Sequence, residues 1–209
     1  MLSILSKAGY AVRFPRSLSS LCCGMPFESK GFPEPASAKA KELETELWAL
    51  SNLGEIPVLC DNSPCAYHLR AAVVSRLSIY EPVEFIHRFL IDRLRFERQP
   101  ETVAIHLTCS SMKMGLADKL DAVAKACADK VVVPAGVGCC GFAGDKGFTY
   151  PELNASALSR LRSTLPPECR AGYSNSRTCE IGLSLHAGIP YQSIVSLVDR
   201  CSRARYNSP

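Results

Sequence analysis

The chain has 209 residues, 47% of them hydrophobic and 21% charged, which is enough apolar material to bury a core in one large domain or two small ones. Its 24 basic and 20 acidic residues leave a net charge of +4. No basic stripe with interleaved aromatics appears, so nucleic-acid binding is excluded as the expectation. No uncharged run reaches the ~18 apolar residues of a membrane span, and segment 1–7 is too short for a secretory signal core. A cytoplasmic protein is expected, with peripheral attachment to the inner face of a membrane as a variant. The sequence holds eleven cysteines. Without an export signal these are expected to be reduced, and clustered thiols then point to metal binding or redox chemistry before a disulfide scaffold.

From the N-terminus, the first landmark is Cys22-Cys23-Gly24, followed by Lys30-Gly31-Phe32. Phe32-Pro33-Glu34-Pro35 reads as a turn before a charged helix over 36–50, whose Leu43, Leu47 and Leu50 give a modest apolar stripe. The apolar run 56–59 leads to Cys60, and Asp61-Asn62-Ser63-Pro64-Cys65 precedes a helix-compatible stretch. Arg88, Arg93, Arg95 and Arg98 read as a solvated helix face and linker, the sharper alternative being a docking patch for an acidic electron partner. A β-rich run over 102–107 ends at Thr108-Cys109-Ser110. Helical spacing of Leu116, Leu120, Val123 and Cys127 predicts a helix over 114–130, and Val131-Val132-Val133 a second buried strand. Next comes Cys139-Cys140-Gly141, followed by Asp145-Lys146-Gly147-Phe148. A helix over 151–165 is predicted, with Leu153, Ala157, Leu158 and Leu161 on its apolar face and Pro166-Pro167 as its stop. Asn175-Ser176-Arg177-Thr178-Cys179 follows.

Two anchors recur. Cys22 and Cys139 lie 117 residues apart, and Cys65 and Cys179 lie 114 apart, so the chain reads as two copies of one module of roughly 100 residues. Strands alternating with helices predict an α/β fold of two tandem lobes related by a pseudo-twofold, each with a short parallel sheet flanked by helices. The expected boundaries are 1–100 and 101–209. The counterpart of Cys109 would precede Met1, so the first lobe is expected to lack its opening strand and the chain to be the C-terminal part of a longer polypeptide.

Cysteines at strand ends suit a site, because ligands gather beyond the carboxyl ends of strands in open α/β sheets. Helix N-termini and nearby lysines, here Lys30 and Lys146, favour thiolates there. Cys109, Cys139, Cys140 and Cys179 are expected to converge, and four sulfurs suit either zinc or an iron-sulfur cluster. Cys22, Cys23 and Cys65 form an incomplete counterpart, with Cys60 as a substitute. His106 is expected in the core or behind the sulfur site, while His68, His87 and His186 read as ordinary helix positions. Cys127, Cys169 and Cys201 read as packing residues. Arg177 is either solvated or a carboxylate-binding residue, and Asp145 with Lys146 is either a surface pair or a support of the site.

The two Cys-Cys-Gly repeats resemble the cysteine-rich CCG domain pair found in heterodisulfide reductases and in the iron-sulfur component of glycolate oxidase. Leu59 to Cys65, His106 to Ser110, Cys139 to Phe148 and Tyr173 to Glu180 more closely resemble the C-terminal region of FAD-linked D-2-hydroxyacid dehydrogenases of the cytochrome-linked D-lactate type. The resemblance implies an electron-transfer module with a [4Fe-4S] cluster at Cys109, Cys139, Cys140 and Cys179, and cofactor binding that includes Cys22, Cys23 and Cys65. It also implies FAD and a ferredoxin-like segment on a part of the parent polypeptide upstream of this chain, and a quinone or cytochrome as acceptor. No catalytic residue is expected in this chain, and no turnover from it alone. The family motif ends in Cys-x-x-Cys, whereas Asn62 and Ser176 stand three residues before Cys65 and Cys179, which argues against the five-cysteine, non-cubane cluster of the reductase relatives. The alternatives are a zinc-binding or metal-free module bracing the flavin domain, and a thiol-disulfide redox module.

Overall fold

The computed structural model describes residues 1–74 and 76–205. The chain divides into two compact units, Ala11–Pro82 and the combination of Met1–Tyr10 with Val83–Pro209. These boundaries differ from the repeat boundary expected at 100. One reason is the N-terminal helix α1 (Leu2–Lys7), which belongs with the larger unit. Lys7 Nζ donates to the backbone oxygen of Asp199 at 2.6 Å and to its carboxylate at 2.7 Å, and Ser3 donates to the same carboxylate at 2.7 Å.

In the smaller unit, a 3-10 turn (Leu18–Ser20) and the first cysteine pair lead into α2 (Met25–Glu28), α3 (Pro33–Leu50), β1 (Val58–Leu59), α4 (Ser63–Ala72) and β2 (Ile79–Tyr80). Helix α3 begins at Pro33, where a turn was expected, because a first-turn residue has no intrahelical partner for its amide and proline gives up nothing there. It buries Ala36 and Ala40. Strands β1 and β2 pair in parallel, Val58 with Ile79 and Leu59 with Tyr80, through the crossover helix α4. The Arg70 guanidinium donates from α4 to the Ile79 carbonyl at 2.9 and 2.6 Å, which fixes helix to strand. Among the described residues this unit's sheet contains these two strands alone.

The larger unit continues from α5 (Pro82–Phe85) through a π-helical turn (Ile86–Leu90) to β3 (Leu94–Phe96) and β4 (Gln99–Ile105). After α6 (Cys109–Lys113) come α7 (Ala117–Cys127), β5 (Ala128–Val132), α8 (Lys146–Thr149), α9 (Pro151–Ala157) and α10 (Leu161–Thr164). The unit ends with β6 (Ala171–Ser174), α11 (Arg177–Ala187), β7 (Tyr191–Ser193), α12 (Ile194–Cys201) and β8 (Ser202–Ala204). Its main sheet has the order β5-β4-β6-β7, and every pair in it is parallel. The chain is therefore α/β, with short parallel sheets flanked by helices in both units.

Three expectations shift. The expected linker contains β3, which pairs antiparallel with β8; Arg88, Arg93, Arg95 and Arg98 on this stretch are exposed, and Arg93 lies over the Tyr10 ring at 5.2 Å. Val133 falls outside β5 and is 64% exposed. The helix expected over 151–165 breaks between α9 and α10, and its buried stripe is Asn154, Leu158 and Leu161, one position away from the apolar Leu153.

The core packs on both faces of the sheet. Cys127 ends α7 and Cys201 ends α12; both are fully buried, and the Cys201 thiol lies 3.5 Å from the Cys127 carbonyl. A second cluster joins Ala104, Cys140, Phe142, Leu158, Leu161, Leu183 and Tyr191. Gly172 on β6 is paired with Tyr191, and a methyl group there would meet the tyrosine ring at 2.3 Å, so only glycine lets that ring lie across the strand. Among the described residues, no helix is long and apolar enough to cross a membrane.

Candidate metal centre

From β4 the chain crosses through α7 to β5 on one side, and from β6 it crosses through α11 to β7 on the other. Neighbouring strands β4 and β6 thus send their connections apart, and open α/β sheets bind ligands beyond the carboxyl ends of the strands at such a reversal. Cys109 opens α6 after β4, Cys139 and Cys140 follow β5, and Cys179 is the third residue of α11 after β6.

These sulfurs form a contiguous group. The Cys140 and Cys179 Sγ atoms are 3.1 Å apart, and the Cys139 side chain interacts with both Cys109 and Cys140. Cys109 and Cys139 are exposed, Cys140 is buried and Cys179 half-buried, so the group runs from solvent into the core. Among the described residues, no three His, Cys, Asp or Glu side chains are grouped so that they could hold a metal ion. Two thiolates on one tetrahedral zinc stand ~3.8 Å apart, given ~2.3 Å Zn–S bonds. Cys140 and Cys179 therefore touch as a hydrogen-bonded thiol pair and would part by roughly 0.7 Å to share an ion. The donor set itself, four sulfurs on three loops, matches thiophilic metals.

The local sequence explains how the pair is held. Gly141 has φ +72°, and a methyl group on it would lie 2.5 Å from the Leu153 carbonyl oxygen and 2.7 Å from Ala157 Cβ. Its amide donates to Cys139 Sγ at 3.3 Å. The Asn154 side-chain amide donates to the Cys140 carbonyl at 2.5 Å. Asn154 escaped sequence reasoning because a polar residue inside a helix reads as surface. The signal was its place at i, with Leu158 and Leu161 at i+4 and i+7.

The hydrogen bond between the Cys140 and Cys179 sulfurs pulls the Cys140 pKa down to about 7, with burial opposing. The same hydrogen bond, followed by burial, pushes Cys179 up, and burial ahead of Cys139 pushes Cys109 up. The group's first negative charge accordingly rests on Cys140. Lys30 and Lys146, expected to supply opposing charge, are exposed and are not among the main causes. Arg177, considered for a substrate or partner carboxylate, pairs at 3.2 Å with the buried carboxylate of Glu180 on its own helix. Asp145 precedes α8 and Lys146 begins it, both exposed. Cys169 is buried before β6, its thiol 3.5 Å from the Ala171 carbonyl.

A buried polar network holds the loops after β4 and β6 together. Thr108 Oγ1 lies 3.1 Å from Ser110 Oγ and 2.9 Å from Ser111 Oγ, and the Asn175 amide donates to Ser111 at 2.6 Å. Behind it, His106 is 2% exposed, with Nδ1 3.3 Å from Ser174 Oγ. Ser174 donates to the His106 carbonyl, which leaves its oxygen to accept from Nδ1–H. Burial lowers the His106 pKa to about 4, partly opposed by the Gly138 backbone. Between pH 6.5 and 4 the unfolded chain therefore binds a proton that the folded chain does not, so this stability is full above pH 6.5 and is lost as pH falls toward 4. Urea unfolding at pH 7 and pH 5 should show the wild type losing about 2 kcal/mol more than His106→Asn. Equal losses would mean that the imidazole is not held neutral.

The smaller unit repeats the arrangement. Gly24 has φ +90°, and a methyl group on it would meet the Ala36 carbonyl oxygen at 2.3 Å, twelve residues on, as Leu153 is from Gly141. The Gly24 amide donates to Cys22 Sγ at 3.4 Å. Cys65 is the third residue of α4 and its thiol interacts with that of Cys23, as Cys179 does with Cys140. His68 on α4, His87 in the π-helical turn and His186 near the end of α11 are half-buried and none has a part in these groups.

The family model described as cysteine-rich domain, CCG, matches residues 103–183. No curated protein matches the chain. That span begins on β4 and ends on α11, enclosing all four sulfur positions of the larger unit. Over residues 103–183 the chain is thus similar to the CCG cysteine-rich domain, a likeness that suggests a metal-binding or redox module.

Proposed function

We propose that the chain is the iron-sulfur, electron-transferring module of an FAD-linked D-2-hydroxyacid oxidoreductase of the D-lactate type. The observation that supports this reading is the 3.1 Å contact between the Cys140 and Cys179 sulfurs, with Cys139 beside Cys140 in the chain and its side chain interacting with Cys109. A thiolate-held [4Fe-4S] cluster would supply one-electron chemistry with little ligand movement. The chain's own residues would anchor it. The Gly141 amide supports the Cys139 sulfur, Asn154 and Phe142 hold Cys140 in place, and the Thr108–Ser111–Asn175 network keeps the loops bearing Cys109 and Cys179 in register. The exposed Cys109 and Cys139 face the side from which electrons would pass. In this reading flavin and ferredoxin-like domains of the parent polypeptide deliver electrons, and a quinone or cytochrome accepts them.

Anaerobic reconstitution followed by iron, sulfide and zinc assays and electron paramagnetic resonance tests the proposal. Stoichiometric iron and sulfide with a paramagnetic reduced state are expected. Zinc without iron would replace the reading with a structural module, one whose melting temperature falls with chelator.

The 3.1 Å Cys140–Cys179 contact and the low Cys140 pKa favour a second reading, thiol-disulfide exchange. The Cys140 thiolate would attack a partner disulfide and release one thiolate, which takes up a proton. The Cys179 thiol would then give up its proton and displace the second partner thiolate. One partner disulfide becomes two thiols while the two protein thiols become one disulfide. A Cys140–Cys179 peptide cross-link after treatment with a small disulfide, in protein free of iron and zinc, is the expected product.

A further inference from the structure

We propose that the free edge of β1 in the smaller unit is a docking site for one added strand, an uncharged apolar segment of a partner polypeptide that lies parallel to β1. The inference is independent of the metal and thiol readings of the cysteines.

The 114-residue offset between Cys65 and Cys179 also aligns two strand–helix–strand segments. It sets Val58 and Leu59 of β1 against Gly172 and Tyr173 of β6, and Ser63, which opens α4, against Arg177, which opens α11. Each helix crosses over to a parallel neighbour, β2 in one unit and β7 in the other. The two strands differ on their other side. There β6 is flanked by β4, through Val103 with Ala171, Ala104 with Gly172 and Ile105 with Tyr173, and the Tyr173 carbonyl accepts from the His106 amide at 2.9 Å. Among the described residues, β1 pairs with β2 alone.

The Val58 and Cys60 amides donate to the Ser78 and Tyr80 carbonyls, both at 2.9 Å, so these alternate residues face β2. The Leu59 amide and carbonyl, and the Pro57 carbonyl, therefore face outward, with no backbone partner among the described residues. Burial follows pairing: Gly172, Tyr173 and Ser174 are buried, whereas Val58, Leu59 and Cys60 are half-buried. Segment 56–60 also carries no charge, a usual guard of a free edge.

The larger unit shows what fits such an edge. Val103, Ala104 and Ile105 of β4 are at most 3% exposed, as befits a parallel strand buried on both faces, and β4 is held on its far side by β5. In the smaller unit the stretch before the first cysteine pair, where β5 stands before the second, forms no strand, and its Val12 and Phe14 are 40% and 54% exposed. A partner segment suited to this place is a short uncharged run like Val103 to Ile105. Its amides would reach the Pro57 and Leu59 carbonyls, and main-chain bonds of this kind supply the affinity of strand addition.

A synthetic peptide with the sequence of residues 101–107, added at millimolar concentration to the full, reduced chain, serves as the probe, and backbone hydrogen exchange is the readout. The peptide should slow exchange of the Leu59 amide on the order of 10-fold. The same peptide N-methylated at the position of His106 lacks the amide that would reach the Leu59 carbonyl and should give no protection. N-methylation at the position of Ile105, whose amide faces the other way, should leave the protection in place. Unchanged exchange at Leu59, or equal protection by the peptide methylated at the position of His106, would overturn the proposal. Protection of Leu59 that rises with protein concentration in the absence of peptide would also overturn it, by assigning the edge to a second copy of the chain.

Discussion

Phe142→Ala should cost the larger unit about 3–5 kcal/mol, the range for emptying a buried phenylalanine site that cannot collapse. Phe142 is 2% exposed and belongs to the cluster that includes Cys140, Leu158, Leu161 and Leu183. Two glycines are fitted to its ring. A methyl group on Gly147 would come within 2.7 Å of it and one on Gly182 within 2.9 Å, so the surrounding backbone is too close-packed to move inward and fill the void. The ring also meets Phe148 edge-on, with centroids 4.8 Å apart. Phe148 itself is 66% exposed, and Phe148→Ala should cost only about 1 kcal/mol. Denaturant unfolding of both variants checks the contrast. Because Phe142 is two residues from Cys140, the first substitution should also speed alkylation of Cys140, which the second should not. Equal stability of the two variants would show that the cysteine loop is not anchored through this ring.

Gly141→Ala should be nearly as damaging, at about 3 kcal/mol. Left-handed backbone contributes roughly 1–2 kcal/mol for an L-residue, and the added methyl runs into the Leu153 carbonyl oxygen and Ala157 Cβ, an overlap that costs about 1–3 kcal/mol to relieve. Gly144 separates the two contributions. It too has positive φ, +74°, but a methyl group there would meet nothing within 4 Å, so Gly144→Ala should cost about 1–2 kcal/mol. Gly24 and Gly31 offer the same comparison in the smaller unit, at φ +90° and +82°, with only Gly24 facing a backbone oxygen. Four variants measured by chemical denaturation would give two matched pairs. If Gly141→Ala and Gly144→Ala cost the same, the close approach of the cysteine loop to α9 has no energetic consequence.

The parts of this protein legible in the sequence were those written in repeated residues. The Cys-Cys-Gly pairs and the later Cys65 and Cys179 pointed to a repeat, and in each unit the glycine of the pair lies against a carbonyl twelve residues on. Alternating apolar runs revealed the parallel strands and their crossover helices. Cooperative placement was harder to read. Pro33 looked like part of a turn before the helix and is its first residue, because proline's missing amide matters only inside a helix. Leu153 looked like core and is 46% exposed, while Asn154 beside it is 2% exposed and donates to the Cys140 carbonyl, a place that its polarity hid although Leu158 and Leu161 mark the same helix face. The stretch around Arg93 and Arg95 looked like a linker because its partner, β8, lies about a hundred residues further along the chain. The unit boundaries moved for the same reason, with α1 tied by Lys7 and Ser3 to Asp199 near the other end of the sequence.

X-ray absorption at the metal edge of the anaerobically reconstituted full chain tests most directly whether sulfurs from separate strand ends share an inorganic centre. The account predicts a shell of sulfur neighbours at ~2.3 Å with no nitrogen or oxygen ligand, weakened when Cys109 or Cys179 is replaced by serine. A shell of oxygen and nitrogen neighbours, or a sulfur shell indifferent to both substitutions, would contradict it.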